Sequence, residues 1–307
     1  LFIWFINPFA KFVQMISPKG PEVEVISRQI ANAHTTFNCV MTLIWIPLIW
    51  LMVKIVMRIV PDGKKELRDP AEPLYLDEKL VSQPTAALQL VAKEVVHCGE
   101  VVRAMLQDTS KAVKKEEMPL LESVFEKASI VSNLNERITE YLADLFSAGV
   151  LTEEQATQTA GIMYVLSDID RMGSLCEDVA EGIRDKIEKK YKYSKDAMKD
   201  LEKILNMIES MYSEAMQAMT TGDLENAKKI LKKKEKVIEL DINMRKGHMT
   251  RVGKGKCAAN LTAPFNQILH SIDRMSNSCM NIADAALGQV DLNYFINVTA
   301  NGEDMKA

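Results

Sequence analysis

Glycine and proline are scarce, 13 and 10 in 307 residues, and several fall between periodic segments, as at Gly149 and Gly222. Long uninterrupted helices are the reading that this composition favours. No basic excess exists either: 38 Lys and Arg stand against 42 Asp and Glu, for a net charge of −4. A nucleic-acid binder ordinarily shows a basic face, so no nucleic-acid partner is expected. The five cysteines, Cys39, Cys98, Cys176, Cys257 and Cys279, form no CxxC pair and are odd in number, which speaks against a disulfide framework or a zinc ribbon. Cys98, Cys176 and Cys279 fall on apolar helical stripes and read as buried, reduced thiols of a cytosolic compartment. There is no Gly-rich phosphate loop and no nucleophile beside a base, so the chain does not read as an enzyme.

What is present is a line of residues written twice. Ser167-Asp168-Ile169-Asp170-Arg171-Met172-Gly173-Ser174-Leu175-Cys176 returns as His270-Ser271-Ile272-Asp273-Arg274-Met275-Ser276-Asn277-Ser278-Cys279, with Ala180 and Ala283 following in register. A long-period repeat states an architecture: one helical unit, duplicated. Around both copies, apolar residues step by three and four, as in Leu88, Val91, Val95, Cys98, Val102 and Met105. Each such seam marks one buried helix face. Thr152-Glu153-Glu154-Gln155 is a capping box, and Gly222-Asp223 supplies a stop followed by a start. Six helices are therefore expected, at about 82–107, 116–148, 152–190, 194–219, 223–254 and 262–288, forming three-helix bundles over 80–190 and 191–290. A linker fills 61–79 and a flexible tail 291–307.

The front of the chain is apolar. Phe37 to about Val60 carries no charge before Lys54 and reaches the ~20 residues that a bilayer core requires. Lys54, Arg58, Lys64, Lys65 and Arg68 crowd its end, which by the positive-inside rule puts everything after Val60 in the cytoplasm. Leu1 to Ile16, broken at Pro8, reads as the tail of an earlier span. A signal peptide fits poorly, having here no basic start and no small-residue cleavage site. The chain opens on Leu1 inside this run and so reads as a piece of a longer, multi-pass inner-membrane protein. Asn260-Leu-Thr262 and Asn297-Val-Thr299 match the glycosylation sequon, which a cytoplasmic location empties of meaning.

Between the apolar runs lies Arg28-Gln-Ile-Ala31-Asn-Ala-His34-Thr-Thr-Phe37-Asn38. With Ile46-Pro47 in the following helix, it resembles the close of the second transport repeat in bacterial type II sodium-dependent phosphate cotransporters. The resemblance implies that 1–60 is the C-terminal membrane part of such a transporter, with Arg28, His34, Phe37 and Asn38 its motif residues. The partners implied are the membrane, and sodium and phosphate bound through transport repeats absent from this chain. No Gln-Ser-Ser-type motif occurs, so this piece is not expected to transport alone. His34 taken by itself reads either as a ligand or proton carrier, or as a polar anchor at a helix end.

Two tandem three-helix bundles with an Asp-Arg-Met line on the third helix of each resemble the PhoU family, whose domains are commonly appended to these transporters. That resemblance implies metal clusters held by carboxylates one helical turn apart. Glu235 and Glu239 keep the spacing, and with Asp273 and Asn277 they are the candidate ligands of a divalent or iron-type metal in the second bundle. In the first, Ser129, Asn133 and Ser174 stand at the aligned positions, too few carboxylates for a hard cation. Against the metal stands a structural alternative in which Asp170-Arg171 and Asp273-Arg274 form inter-helix ion pairs. Asp241, on the core-facing side, finds its partner in Arg245 with His248 one turn further. Arg245, His248, Arg251, Lys254 and Lys256 form a basic stretch that is either an anion site or a solvated face. The sequence thus predicts an all-α regulatory fragment of a phosphate transporter that senses or gates and meets signalling proteins. The alternatives are a membrane-anchored helical signalling protein and a metal-binding bundle.

Overall fold

The structure, a computed structural model, describes residues 6–20, 22–59, 70–288 and 294–295. Among these residues the only regular secondary structure is helical. The chain divides into two compact units, Leu1–Arg68 and Asp69–Ala307.

In the first unit, α1 (Ile6–Met15) and α2 (Glu22–Ile59) form a hairpin. Ser17 ties them together: its hydroxyl donates to the Val13 carbonyl at 2.7 Å and accepts from the Asn32 amide at 3.0 Å. Helix α2 is already helical from Glu22, well ahead of the apolar run that begins at Phe37. No Gly or Pro interrupts residues 22–37, so nothing there favours leaving the helix. Pro47 lies inside α2 and does not end it.

One helix among the described residues is long and apolar enough to cross a bilayer. It covers Val25–Lys54, 30 residues of mean hydropathy 1.9, with none of its apolar window buried. At ~1.5 Å per residue such a helix is about 45 Å long, more than a hydrocarbon core needs. Of the run read as the tail of an earlier span, the described part is α1, 10 residues with Pro8 in its first turn, where a missing N–H costs nothing. Leu1–Phe5, Lys64, Lys65, Arg68 and Asn297–Thr299 lie outside the described residues.

The second unit contains α3 (Pro84–Lys115), α4 (Met118–Ser147), α5 (Glu153–Glu188), α6 (Lys195–Thr221), α7 (Leu224–Gly253) and α8 (Thr262–Gly288). Helices α3–α5 pack as one triplet and α6–α8 as another, and the triplets join through α3 against α6 and α5 against α8. The capping box at Thr152 and Gln155 forms, and Gly222 closes α6 at φ 71°. Helix α3 outruns its expected end by two turns. It stops only where Glu116 takes the left-handed conformation, φ 56°, a residue whose type carries no stop signal.

A single hydrophobic core runs through both triplets. The boundary near residue 190 therefore separates repeats, not independently compact units. Helices α5 and α8 cross antiparallel: Asn281 donates to Asp168 at 3.1 Å, and Ser271 donates to Asp178 at 3.2 Å. Asp168 and Ser271 are equivalent positions of the duplicated line, and so are Asp178 and Asn281. The two bonds thus exchange under a pseudo-twofold axis that passes between Gly173 and Ser276, as in an isologous dimer. Helices α3 and α6 also run antiparallel, through Ser110–Asn206 (2.7 Å), Gln107–Glu209 (2.9 Å) and Lys114–Glu202 (2.6 Å).

Candidate functional site

The duplicated line occupies the middle of α5 and α8. Ile169, Met172 and Cys176, with Ile272, Met275 and Cys279, are all fully buried. Burial pushes the Cys98 and Cys176 thiols up to about 12 and that of Cys279 higher still, so these sulfurs are protonated and unreactive.

The two carboxylates of the line differ. Asp273 lies 3.7 Å from the Lys234 ammonium, which also donates to Ser276 Oγ at 2.8 Å and to the Asn277 carbonyl oxygen. At the position aligned with Lys234 the first repeat has Ala128, and Asp170 has no cation beside it. Burial alone raises the Asp170 pKa. Arg171 and Arg274 are exposed and enter none of the ion pairs among the described residues. Asp273 thus has its inter-helix partner in Lys234 rather than in an arginine, and two further inter-helix pairs are duplicated between the repeats. Lys127 meets Asp108 at 3.0 Å, and Lys233 meets Glu214 at 2.6 Å, each nineteen residues apart from α4 to α3 and from α7 to α6. Burial pushes the Asp108 pKa up, but hydrogen bonds from Lys127, Lys111 and Ser123 outweigh it and the net shift is downward.

The metal quartet is not assembled. Glu235 and Glu239 are exposed on α7, whereas Asp273 and Asn277 face the Lys234 ammonium. Among the described residues no three His, Cys, Asp or Glu side chains gather as ligands. A lysine ammonium already supplies the positive charge that a metal would bring, so these residues do not suit one.

Asp241 accepts from Arg245 at 2.8 Å, as expected, and Arg245 reaches on to Asn266 at 3.3 Å. His248 is 1 % exposed, stacked 4.8 Å from the Phe265 ring and 3.1 Å from the Thr262 hydroxyl. Burial, then the charge of Arg251, lowers its pKa. It is a core histidine and not part of a free anion site. The transporter-motif residues are strung along α2: Arg28, His34, Phe37 and Asn38 are all exposed, and the Asn38 amide lies 3.3 Å from His34 Nδ1.

One group escaped the sequence reading. Glu94 is fully buried on α3, accepts from the Tyr75 backbone N–H at 2.6 Å and lies 2.8 Å from His97 Nδ1. The Tyr141 hydroxyl donates to the Asp77 carbonyl at 2.9 Å. Together these bonds hold the strap of residues 70–80 on α3 and α4, above a cavity of about 540 Å³ that includes Glu72, Asn133, Arg137 and Asp144. The available signal was a glutamate set between Val91 and Val95 in an apolar seam, since a buried carboxylate must find donors.

Among known proteins, the chain is similar to YjbB of Salmonella typhimurium, a protein named for inorganic phosphate export, with 24% identity over 94% of this chain and 52% of that one. The Escherichia coli YjbB is 24% identical over 84% and 47%. The chain thus spans about half the length of these curated relatives. A phosphate-specific transport system accessory protein PhoU homolog of Clostridium acetobutylicum is 19% identical over 67% of this chain and 95% of its own length. Among solved structures, PhoU from Pseudomonas aeruginosa superposes with a TM-score of 0.60 at 17% identity, over 64% of this chain and 93% of that one. The phosphate transport system regulatory protein PhoU from Streptococcus pneumoniae gives 0.59 at 16%, over 68% and 100%. These likenesses establish the fold of the six-helix unit. The PhoU domain model matches residues 95–183 and 201–286, one match per triplet and more than half of the sequence, and the chain belongs to the PhoU domain family.

Proposed function

We propose that this chain is the C-terminal part of a phosphate-transporting membrane protein, in which α2 is a membrane crossing and the six-helix unit is a cytoplasmic regulator of flux. The observation that carries this reading is the union, in one chain, of an apolar helix with no buried face and a PhoU domain. YjbB, named for phosphate export, matches across both parts, and the PhoU relatives named as accessory or regulatory proteins match the helical unit. The chain is not an enzyme, and its role is to bind and to gate. The strap on Glu94 is the mechanical link, because it lies on the path from α2 to the first triplet. Sodium coupling is the finer reading that the residues Arg28 to Asn38 support.

The test uses the whole transporter in a phosphate-uptake-deficient strain. Flux of labelled phosphate is followed with and without residues 70–307, in sodium and in choline media. Loss of regulation by external phosphate in the truncated protein, with basal flux retained, is the expected outcome. Unchanged regulation would sink the gating role, and equal flux in choline would remove sodium from the proposal.

A further inference from the structure

Helix α7 carries an apolar line on its outer surface. Leu231 (55% exposed), Ile238 (42%), Ile242 (44%) and Met249 (58%) recur at helical spacing, although the inward side of the same helix already buries Ile230, Val237 and Met244. The first repeat has no such line. At the aligned positions α4 has Phe125, covered by the Arg184 guanidinium 4.8 Å from its ring, and then exposed Ser132, Glu136 and Ala143. The repeated architecture therefore does not require these side chains, and a solvated helix face has no use for them.

The surroundings identify what covers the line. Helix α7 holds nine Lys and Arg against four Asp and Glu, in a chain whose net charge is −4. Lys228, Lys232, Lys236 and Lys246 are exposed along it, with Glu225, which pairs with Lys228 at 2.7 Å, and Glu235 and Glu239 the acidic exceptions. Two such helices facing each other would set lysine against lysine, which disfavours a second copy. An exposed apolar line with lysines on its flanks is the pattern of a helix lying in a membrane interface.

We infer that the outer face of α7 docks on anionic lipid headgroups, inserting Leu231, Ile238, Ile242 and Met249 while the lysines meet phosphates. The attraction of the lysines to an anionic leaflet is electrostatic and is lost in high salt.

The whole chain, one copy per lipid nanodisc, tests this in a Cys39→Ser, Cys257→Ser background, because the three core thiols are inaccessible. An environment-sensitive fluorophore is placed at Ile242→Cys, at Ser132→Cys as the matched position of the first repeat, and at Leu43→Cys in α2. In discs with about one third phosphatidylglycerol, the Ile242 probe should shift to the blue. In pure phosphatidylcholine, or in about 1 M salt, the shift should vanish, and the Ser132 probe should not respond. A Leu43 probe that stays in water would remove the membrane crossing itself. A buried Leu43 probe with an unresponsive Ile242 probe would overturn the docking alone. So would an Ile242 shift that is equal in both lipids or present in detergent, because neither depends on anionic headgroups. The Lys232→Gln, Lys236→Gln, Lys246→Gln triple variant, altered only at exposed positions, should lose most of the shift.

Discussion

The three core thiols make the clearest statement at the scale of single residues. A thiol reagent should label the partly exposed Cys257 in the folded chain. Cys98, Cys176 and Cys279 should react only after denaturant is added. Because burial raises these pKa values, the folded chain holds protons that the unfolded chain releases above about pH 9. Stability should fall as pH climbs from about 9 towards 12, and in urea titrations Cys98→Ala and Cys176→Ala should flatten that decline. His248 acts at the other end of the scale. Its lowered pKa means that the unfolded chain takes up the proton, so stability is full above about pH 6.5 and erodes as pH falls below it. Gly182 marks the close approach of α5 to α8. A Cβ there would sit 2.7 Å from Ile268 Cγ1, so Gly182→Ala should destabilise by about 1–3 kcal/mol, less the helix-propensity gain of about 1. The double variant with Ile268→Ala should show favourable coupling. That the Cys seams lie inside was legible from spacing. That Lys234 reaches Ser276, Asn277 and Asp273 was not, because spacing along one helix does not show which side chain arrives from the next.

At the scale of elements, the strap and the duplicated ion pairs can be tested separately. Glu94→Gln keeps one acceptor but loses the charge that holds the Tyr75 N–H and His97. Hydrogen exchange of residues 70–80 should accelerate, with a stability cost of about 1–3 kcal/mol. Lys127→Met and Lys233→Met remove the same contact from each repeat. Both pairs are partly exposed, so each loss should be about 1 kcal/mol or less in a denaturant titration. A marked difference between them would argue against equivalence of the repeats. Most helix ends followed from caps, as Thr152 and Gly222 illustrate. The end of α3 did not, because Glu116 adopts its left-handed turn where its carboxylate lies 2.6 Å from Lys186, a partner seventy residues away.

At the scale of the whole molecule, the core shared by both triplets predicts one cooperative unfolding transition for the six-helix unit. Residues 70–190 produced alone would expose the α3 and α5 faces that α6 and α8 cover, and should be aggregated or molten by size-exclusion chromatography and near-UV circular dichroism. Mixing with residues 191–290 should restore the native signal. The duplication, the helical class and the apolar front were determined by the sequence itself, because periodicity and repetition are local properties that survive without coordinates. Tertiary structure alone decided that the two triplets merge around a pseudo-twofold axis, that Asp168 and Asp178 bond across it, and that Glu94 clamps the strap. It also decided that the first repeat presents polar side chains where the second presents Ile238 and Ile242. Those outcomes depend on which helix faces meet, and residues about a hundred positions apart carry no sign of that meeting until the chain is folded.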